Sequence, residues 1–165
     1  MRRNWRLIVC VLSMMGLCGC EDTTFRSSVP AYPVRIVIDT RVGQFVHFQP
    51  TDLNSHVVVN RNGYFFNDNY VLPFAATDAC GYGGVVVFVS MNGYDAYDLA
   101  CPYCASKQRC RPCIIDGMYA VCPECGEEYD LTSGYAIPQH GISREALRRL
   151  AISNAGGKLS ITQQQ

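Results

Sequence analysis

Apolar residues along the body of this chain fall into short runs or alternate with period two. Between residues 33 and 74 no 3.6-residue period is sustained, so the pattern predicts strands there rather than helices. Residues 34–38 are rich in Val and Ile, residues 44–48 alternate loosely, and residues 57–59 form a buried-strand run closed by the turn dipeptide Asn62-Gly63. Residues 64–74 are aromatic and irregular, which suggests strand pieces that pack one sheet onto another. The most apolar run in the body, residues 85–89, is followed by Asn92-Gly93 and then by residues 94–99. Two β runs around Asn-Gly predict a tight hairpin, which delivers the chain to Cys101. Ile114-Ile115, Asp116-Gly117 and residues 118–121 repeat the device and deliver the chain to Cys122. Residues 127–131 read as another strand. Residues 143–150 fit either a short helix capped by Ser143 or a turn leading into a strand at 150–152, and the β character elsewhere favours the second. Gly156-Gly157 followed by residues 159–161 predicts a closing hairpin. The expected class is all-β.

The first twenty residues stand apart. Residues 1–6 are positive, and residues 7–17 are an apolar stretch of signal-peptide length, short for a bilayer span. They end in Leu17-Cys18-Gly19-Cys20, which resembles the lipobox of bacterial lipoproteins. The resemblance implies a signal peptide over 1–19 and lipidation at Cys20, with Cys18 as a competing anchor. An ordinary secretory signal or a single-pass anchor is the plainer alternative. A polar stretch over 20–32 is expected to act as a lipid-anchored tether for a domain over 33–165. The implied location is the bacterial cell envelope, periplasmic or surface-exposed, with the membrane as one partner through the lipid.

Charge then changes sign. The 165 residues carry 14 basic and 14 acidic side chains, but Arg2, Arg3 and Arg6 lie in the leader. From Glu21 onward 11 basic face 14 acidic residues, a net of −3, with no basic stripe of the kind nucleic acid requires.

The candidate chemistry lies in the cysteines. Cys101/Cys104 and Cys122/Cys125 are two Cys-Pro-x-Cys loops with seventeen residues between Cys104 and Cys122. Each loop aims two thiols at one point, and two such loops supply four sulfurs to a tetrahedral metal centre of zinc or iron. Seven cysteines follow Cys20, so complete pairing as disulfides within one chain is impossible. Export nevertheless keeps disulfides open as a metal-free alternative.

The hairpin over 85–99, Cys101-Pro102-Tyr103, Cys122-Pro123-Glu124-Cys125-Gly126, Tyr129-Asp130 and Thr132-Ser133-Gly134 together resemble the Rieske iron–sulfur family, over roughly residues 84–162. The resemblance implies an antiparallel β-sandwich or barrel with a small rubredoxin- or zinc-ribbon-like metal-binding subdomain over 99–134. It implies a [2Fe–2S] cluster and electron transfer, with an envelope redox or structural protein as partner. Cys101 and Cys122 match the family's cysteine ligands. Tyr103 and Cys125 stand where its two histidines belong, so Cys104 and Cys125 would complete an all-cysteine set, held either by two irons or by one metal. Loss of the histidines implies a lower potential than a Rieske centre has. A structural or interaction lipoprotein holding zinc or disulfides is the competing function.

Cys110 and Cys113 are expected to form a local disulfide or to staple the metal loops. Cys80 reads as a small buried hydrophobe or a bridge partner. Cys101-Pro102-Tyr103-Cys104 is also the glutaredoxin motif, but that chemistry needs a helix after a parallel strand, and residues 105–111 are too short and too basic for one. His47, His56 and His140 each stand alone, and His140 is the candidate substitute ligand. Asp95, Asp98, Glu127, Glu128 and Asp130 read as solvated positions. No grouping of catalytic residues is evident, and no enzymatic activity is expected.

Overall fold

The computed structural model describes residues 27–164. The stretch expected to be a signal peptide over 1–19, the expected lipidation site Cys20 and the first part of the expected tether lie outside the described residues. In chain order the elements are β1 (Val34–Asp39), a 3-10 helix (Gly43–His47), β2 (His56–Asn60), β3 (Gly63–Phe66), β4 (Asn69–Leu72), β5 (Ala79–Cys80), β6 (Val85–Ser90), β7 (Gly93–Asp98), α1 (Pro102–Ser106), β8 (Ile114–Asp116), β9 (Tyr119–Val121), β10 (Glu128–Asp130), β11 (Ile137–Pro138), β12 (Ala151–Ala155) and β13 (Lys158–Thr162). They build three antiparallel sheets, in the orders β12-β13-β1-β5, β4-β3-β2-β6-β7 and β11-β10-β9-β8. The fold is all-β, as the periodicity predicts. No described helix is long and apolar enough to cross a membrane.

β6 explains why its sequence is apolar throughout instead of alternating. Val85, Val87 and Val89 join Ile36, Ile38, Phe48, Val57 and Ile161 in the core between the first two sheets. Val86 and Phe88 turn the other way, toward Tyr97, Leu99, Tyr129, Leu131 and the cysteines of the third sheet's end. All five side chains of residues 85–89 are fully buried. A strand covered on both faces must be apolar on both. Each such side chain stabilises the fold by roughly 1.5–3 kcal/mol relative to exposure.

The hairpins follow their turn residues. Ser90 pairs with Gly93 around Met91-Asn92, and Ala155 pairs with Lys158 around Gly156-Gly157, whose φ values of +60° and +88° suit the two-residue turn. Asn67 and Asp68 adopt the same left-handed region between β3 and β4, a turn the irregular aromatic pattern concealed. Residues 143–150 contain no helix and lead into β12, in agreement with the turn-and-strand reading. Residues 44–48 differ from the expected strand: residues 44–47 belong to the 3-10 helix and Phe48 caps it, and the apolar signal there is Phe45 and Phe48, three apart and both buried.

Three carboxylates read as solvated are buried instead, because each satisfies donors at a chain crossing. Asp95 accepts from Ser90 Oγ at 2.6 Å and from Arg149 Nη2 at 2.6 Å. Asp98 accepts from Tyr82 N–H at 2.7 Å, Gly83 N–H at 2.8 Å and Ala100 N–H at 2.9 Å. Burial pushes the Asp98 carboxyl above its ordinary range, and those three N–H groups pull against that shift. Glu127, the third, lies beside the second cysteine loop, residues 122–125. Glu128 and Asp130 are half-buried.

Within the stretch read as tether, Ser28 and Val29 pack into the domain. Ser28 N–H donates to Glu145 at 2.8 Å, Arg148 donates to the Val29 carbonyl at 2.8 Å, and Val29 is 1% exposed.

The segment over 81–84 crosses the start of the cysteine loop at close range. A Cβ on Gly83 would lie 2.7 Å from Ala100 Cα and closer still to its nitrogen, both unyielding backbone atoms. Gly83→Ala is therefore expected to cost about 1–3 kcal/mol in urea unfolding of the metal-loaded protein. A loss below about 0.5 kcal/mol, the range of an ordinary surface change, would mean this crossing is not a clamp.

Candidate metal centre

Strand β7 ends at Asp98, and the bond that Ala100 N–H donates to the Asp98 carboxylate turns the chain into the first cysteine loop. Cys101 is the N-cap of α1, and Pro102 takes the first helical position, where its fixed φ and missing N–H cost nothing. Ala105 N–H closes the turn onto the Cys101 carbonyl at 2.9 Å. This single helical turn places Cys101 and Cys104, three residues apart, on one side. The second loop closes through Gly126 N–H to the Cys122 carbonyl at 2.9 Å and Cys122 N–H to the Glu127 carbonyl at 2.8 Å. Gly126 supplies the positive φ, +75°, that reverses the chain there.

The two loops converge. Sγ of Cys101 lies 3.7 Å from Sγ of Cys125, and Sγ of Cys104 lies 3.7 Å from Sγ of Cys122. All four sulfurs lie within 4.8 Å of one another. With metal–sulfur bonds of about 2.3 Å, the edge of a tetrahedron of sulfurs is about 3.8 Å. Cys101, Cys104 and Cys122 are buried, and Cys125 is half-buried at the rim. The set predicted from spacing is therefore brought together as a group that could hold a metal ion.

The electrostatics point the same way. Burial pushes the Cys104 thiol well above its ordinary value and Cys125 up to about 11, with hydrogen bonds among the four sulfurs adding to the first shift. At Cys122 burial acts in the same direction but is outweighed by backbone N–H groups of Cys125 and Glu124, and its thiol is held low. A bound cation would deprotonate the thiols that coordinate it.

Two buried side chains support the loops, and the cysteine spacing gave neither. Tyr129, from the middle of β10, is fully buried, and its hydroxyl lies 3.1 Å from Cys101 Sγ. Burial and that sulfur push the phenol far up, so it stays protonated and would donate to Cys101 once that sulfur is a thiolate. Glu127 is fully buried under the second loop and accepts from His140 N–H and Ser143 N–H, both at 2.7 Å. Burial would push its carboxyl up, but these backbone donors outweigh burial and hold it below the ordinary range. Tyr129 was visible only as part of an aromatic-Asp pattern; Glu127 carries no signal in the sequence that separates it from Glu128.

The remaining candidates lie elsewhere. The His140 ring is about half exposed, with Nδ1 3.9 Å from Glu127, and it is not among the clustered ligands. His56 is buried beside Asp68 at 3.4 Å, and His47 is exposed on the 3-10 helix. Tyr103 is half-buried beneath Lys107, whose Nζ stands 3.9 Å from the ring centroid. Cys110 and Cys113 are free thiols, and the expected local disulfide does not form. Their segment is extended: Cys113 N–H donates to the Leu99 carbonyl at 2.8 Å, and Ala100 bridges Pro112. Residues three apart on an extended chain point to opposite faces. Cys113 accordingly packs with the metal-loop cysteines, and Cys110 packs against Val29, Ala100 and Ala105. Cys80 is also free and rests half-buried on the sandwich core. The glutaredoxin arrangement is absent among the described residues, since α1 is five residues long and follows an antiparallel hairpin.

Compared with models of protein families, with curated proteins and with solved structures, the chain matches none of them.

Cys125→Ser is expected to weaken zinc binding by about 100-fold or more in a competition titration, and Cys110→Ser by less than about threefold. Equal losses would show that the cysteines are grouped differently. Tyr129→Phe is expected to keep the metal but to weaken its hold about tenfold, through loss of the hydrogen bond to Cys101. Unchanged affinity in the same titration would remove Tyr129 from the account.

Proposed function

We propose that this chain is a lipid-anchored envelope protein whose end is folded around one tetrahedral metal ion, zinc, held by Cys101, Cys104, Cys122 and Cys125. The observation that carries the reading is the mutual spacing of the four sulfurs, all within 4.8 Å. A two-iron cluster asks for a different spacing. With all metal–sulfur bonds near 2.3 Å and tetrahedral angles, the ligand pairs on its two irons stand about 5.3 Å apart or more. Four thiolates around one ion leave no open position, which is the mark of a structural rather than a catalytic site. The role is accordingly to hold the third sheet against β6 and β7, not to turn over a substrate. Anchoring through Cys20 is supported by the positive leader, the short apolar stretch and the lipobox-like end at Cys20.

A second reading keeps the same four ligands and places iron in the site, with one-electron transfer to a partner in the envelope. Cys125 favours it, because it is half-buried and gives one ligand an edge near the surface. The hydrogen bond from Tyr129 to Cys101 also favours it, because donors to sulfur adjust the potential of iron centres. On either reading the Rieske resemblance speaks for the scaffold, and the replacement of both histidines speaks against a Rieske potential.

Metal, iron and acid-labile sulfide per chain decide between these, together with visible absorption, on protein prepared without oxygen. The expected result is one zinc, no sulfide and no colour. One iron with a visible thiolate band and no sulfide supports the second reading; sulfide equal to iron restores the [2Fe–2S] cluster. Metal-free protein with no titratable thiols overturns the metal centre. Because binding displaces thiol protons, lowering the pH is expected to release the ion, and a chelator is expected to do so faster as the pH falls.

A further inference from the structure

We propose that the metal end of the domain rests on an anionic lipid surface, through Lys107, Arg109, Arg111 and Arg144. The inference rests on the lipid-anchor reading and names the face that the anchor presents.

The first support is where the chain leaves the fold. Ser28 is fixed to Glu145 at both its N–H, 2.8 Å, and its hydroxyl, 2.5 Å. Val29 is buried against Ala100, Ala105 and Cys110, in direct contact with the first cysteine loop. The path to Cys20 therefore begins beside α1. Six residues separate Cys20 from Ser27. Even fully extended, those seven steps span about 25 Å. A domain of this size is about 35 Å across, so the attachment point stays nearer the membrane than the domain is wide. The turn over 91–93 lies at the other end of the β6–β7 hairpin, a six-residue strand away from Asp98.

The second support is charge. Lys107, Arg109 and Arg111 are exposed, and no acidic residue lies between Cys101 and Cys113. Arg109 and Arg111 flank Cys110, which touches the docked Val29. Arg144 is exposed on an open cleft of about 240 Å³ that it shares with Ser28, Tyr103, Ser106 and Ser143. Glu145 also lines that cleft, and the Ser28, Ser106 and Ser143 hydroxyls donate to Glu145 Oε1, the Tyr103 carbonyl and the Glu145 carbonyl, so the cleft adds only the Arg144 guanidinium to the basic loop. Of the nearby acids, Glu145 is engaged by Ser28, and Glu124 approaches Arg111 only at 3.8 Å. Residues 27–100 carry three Arg against six Asp. Residues 114–134 carry five acids and no base, so an anionic surface repels both parts and attracts the 101–113 loop, on which the tether is seated.

The test uses the full lipidated, metal-loaded protein on vesicles of phosphatidylcholine alone or with about one-third phosphatidylglycerol. Amide hydrogen exchange is read at residues 106–111, with residues 91–93 as the control. Exchange at 106–111 is expected to slow about tenfold on the anionic vesicles only, and to recover in about 0.5 M salt. The combined Lys107→Gln, Arg109→Gln, Arg111→Gln variant should lose the protection while keeping its metal content, which reports that it has folded. Equal exchange on both vesicle types, by protein that floats with the vesicles in high salt, overturns this inference and leaves the anchor standing. Protein that does not float in high salt overturns the anchor instead. The face is then judged by low-salt flotation with anionic vesicles. Flotation weakened about 100-fold in the triple variant supports it, and no flotation overturns it.

Discussion

Four thiolates gathered within 4.8 Å of one another repel too strongly to persist without a cation among them. Unit charges about 4 Å apart cost about 4 kcal/mol per pair even at the effective dielectric of a protein surface. The chain nevertheless converges two separate loops on that point and buries three of the four sulfurs. Either the sulfurs stay protonated in a small dry cluster, or a metal makes them a cross-link between residues 101–104 and 122–125. The rest of this end depends on which state holds. The third sheet has short strands, two or three residues each, and little core of its own. Its attachment to β6 and β7 passes through the cysteine cluster and through Tyr129, Leu131 and Tyr97 packed beside it.

The scaffold itself holds that convergence in place. Strand β6 is the shared wall, giving Val85, Val87 and Val89 to the sandwich and Val86 and Phe88 to the metal end. Asp98 fixes the exit of β7 through three backbone donors, and Glu127 fixes the segment over 140–143 beneath the second loop. Each carboxylate exchanges water for backbone N–H groups that would otherwise be buried without partners. Removing either would leave those donors unpaired, which costs more than the net worth of the bonds themselves.

Much of this was legible in the sequence, for reasons that can be named. Asn92-Gly93 and Asp116-Gly117 mark turns by chemistry alone, and the hairpins they predict deliver the chain to Cys101 and Cys122 as expected. The four metal-loop cysteines were legible because Cys-Pro-x-Cys closes one tight turn wherever it occurs. What failed was the reading of isolated polar residues. Asp95, Asp98 and Glu127 look solvated in one dimension, because the donors they satisfy, such as Gly83 N–H and Ser143 N–H, lie about 15 residues away in the chain. The Cys110–Cys113 disulfide failed for a related reason. Nearness in sequence suggested a local disulfide or a staple, but pairing of Pro112 with Ala100 keeps that segment extended and sends the two thiols apart. The 3-10 helix was missed because Phe45 and Phe48, three apart, lie in a window too short to separate from loose alternation.

The account stands on a single ion with four sulfur ligands, and X-ray absorption at the metal edge tests that most directly. It predicts one shell of four sulfurs at about 2.3 Å and no heavier scatterer beyond it. A second metal at about 2.7 Å, the separation that a sulfide-bridged pair with the same bond lengths requires, would contradict it.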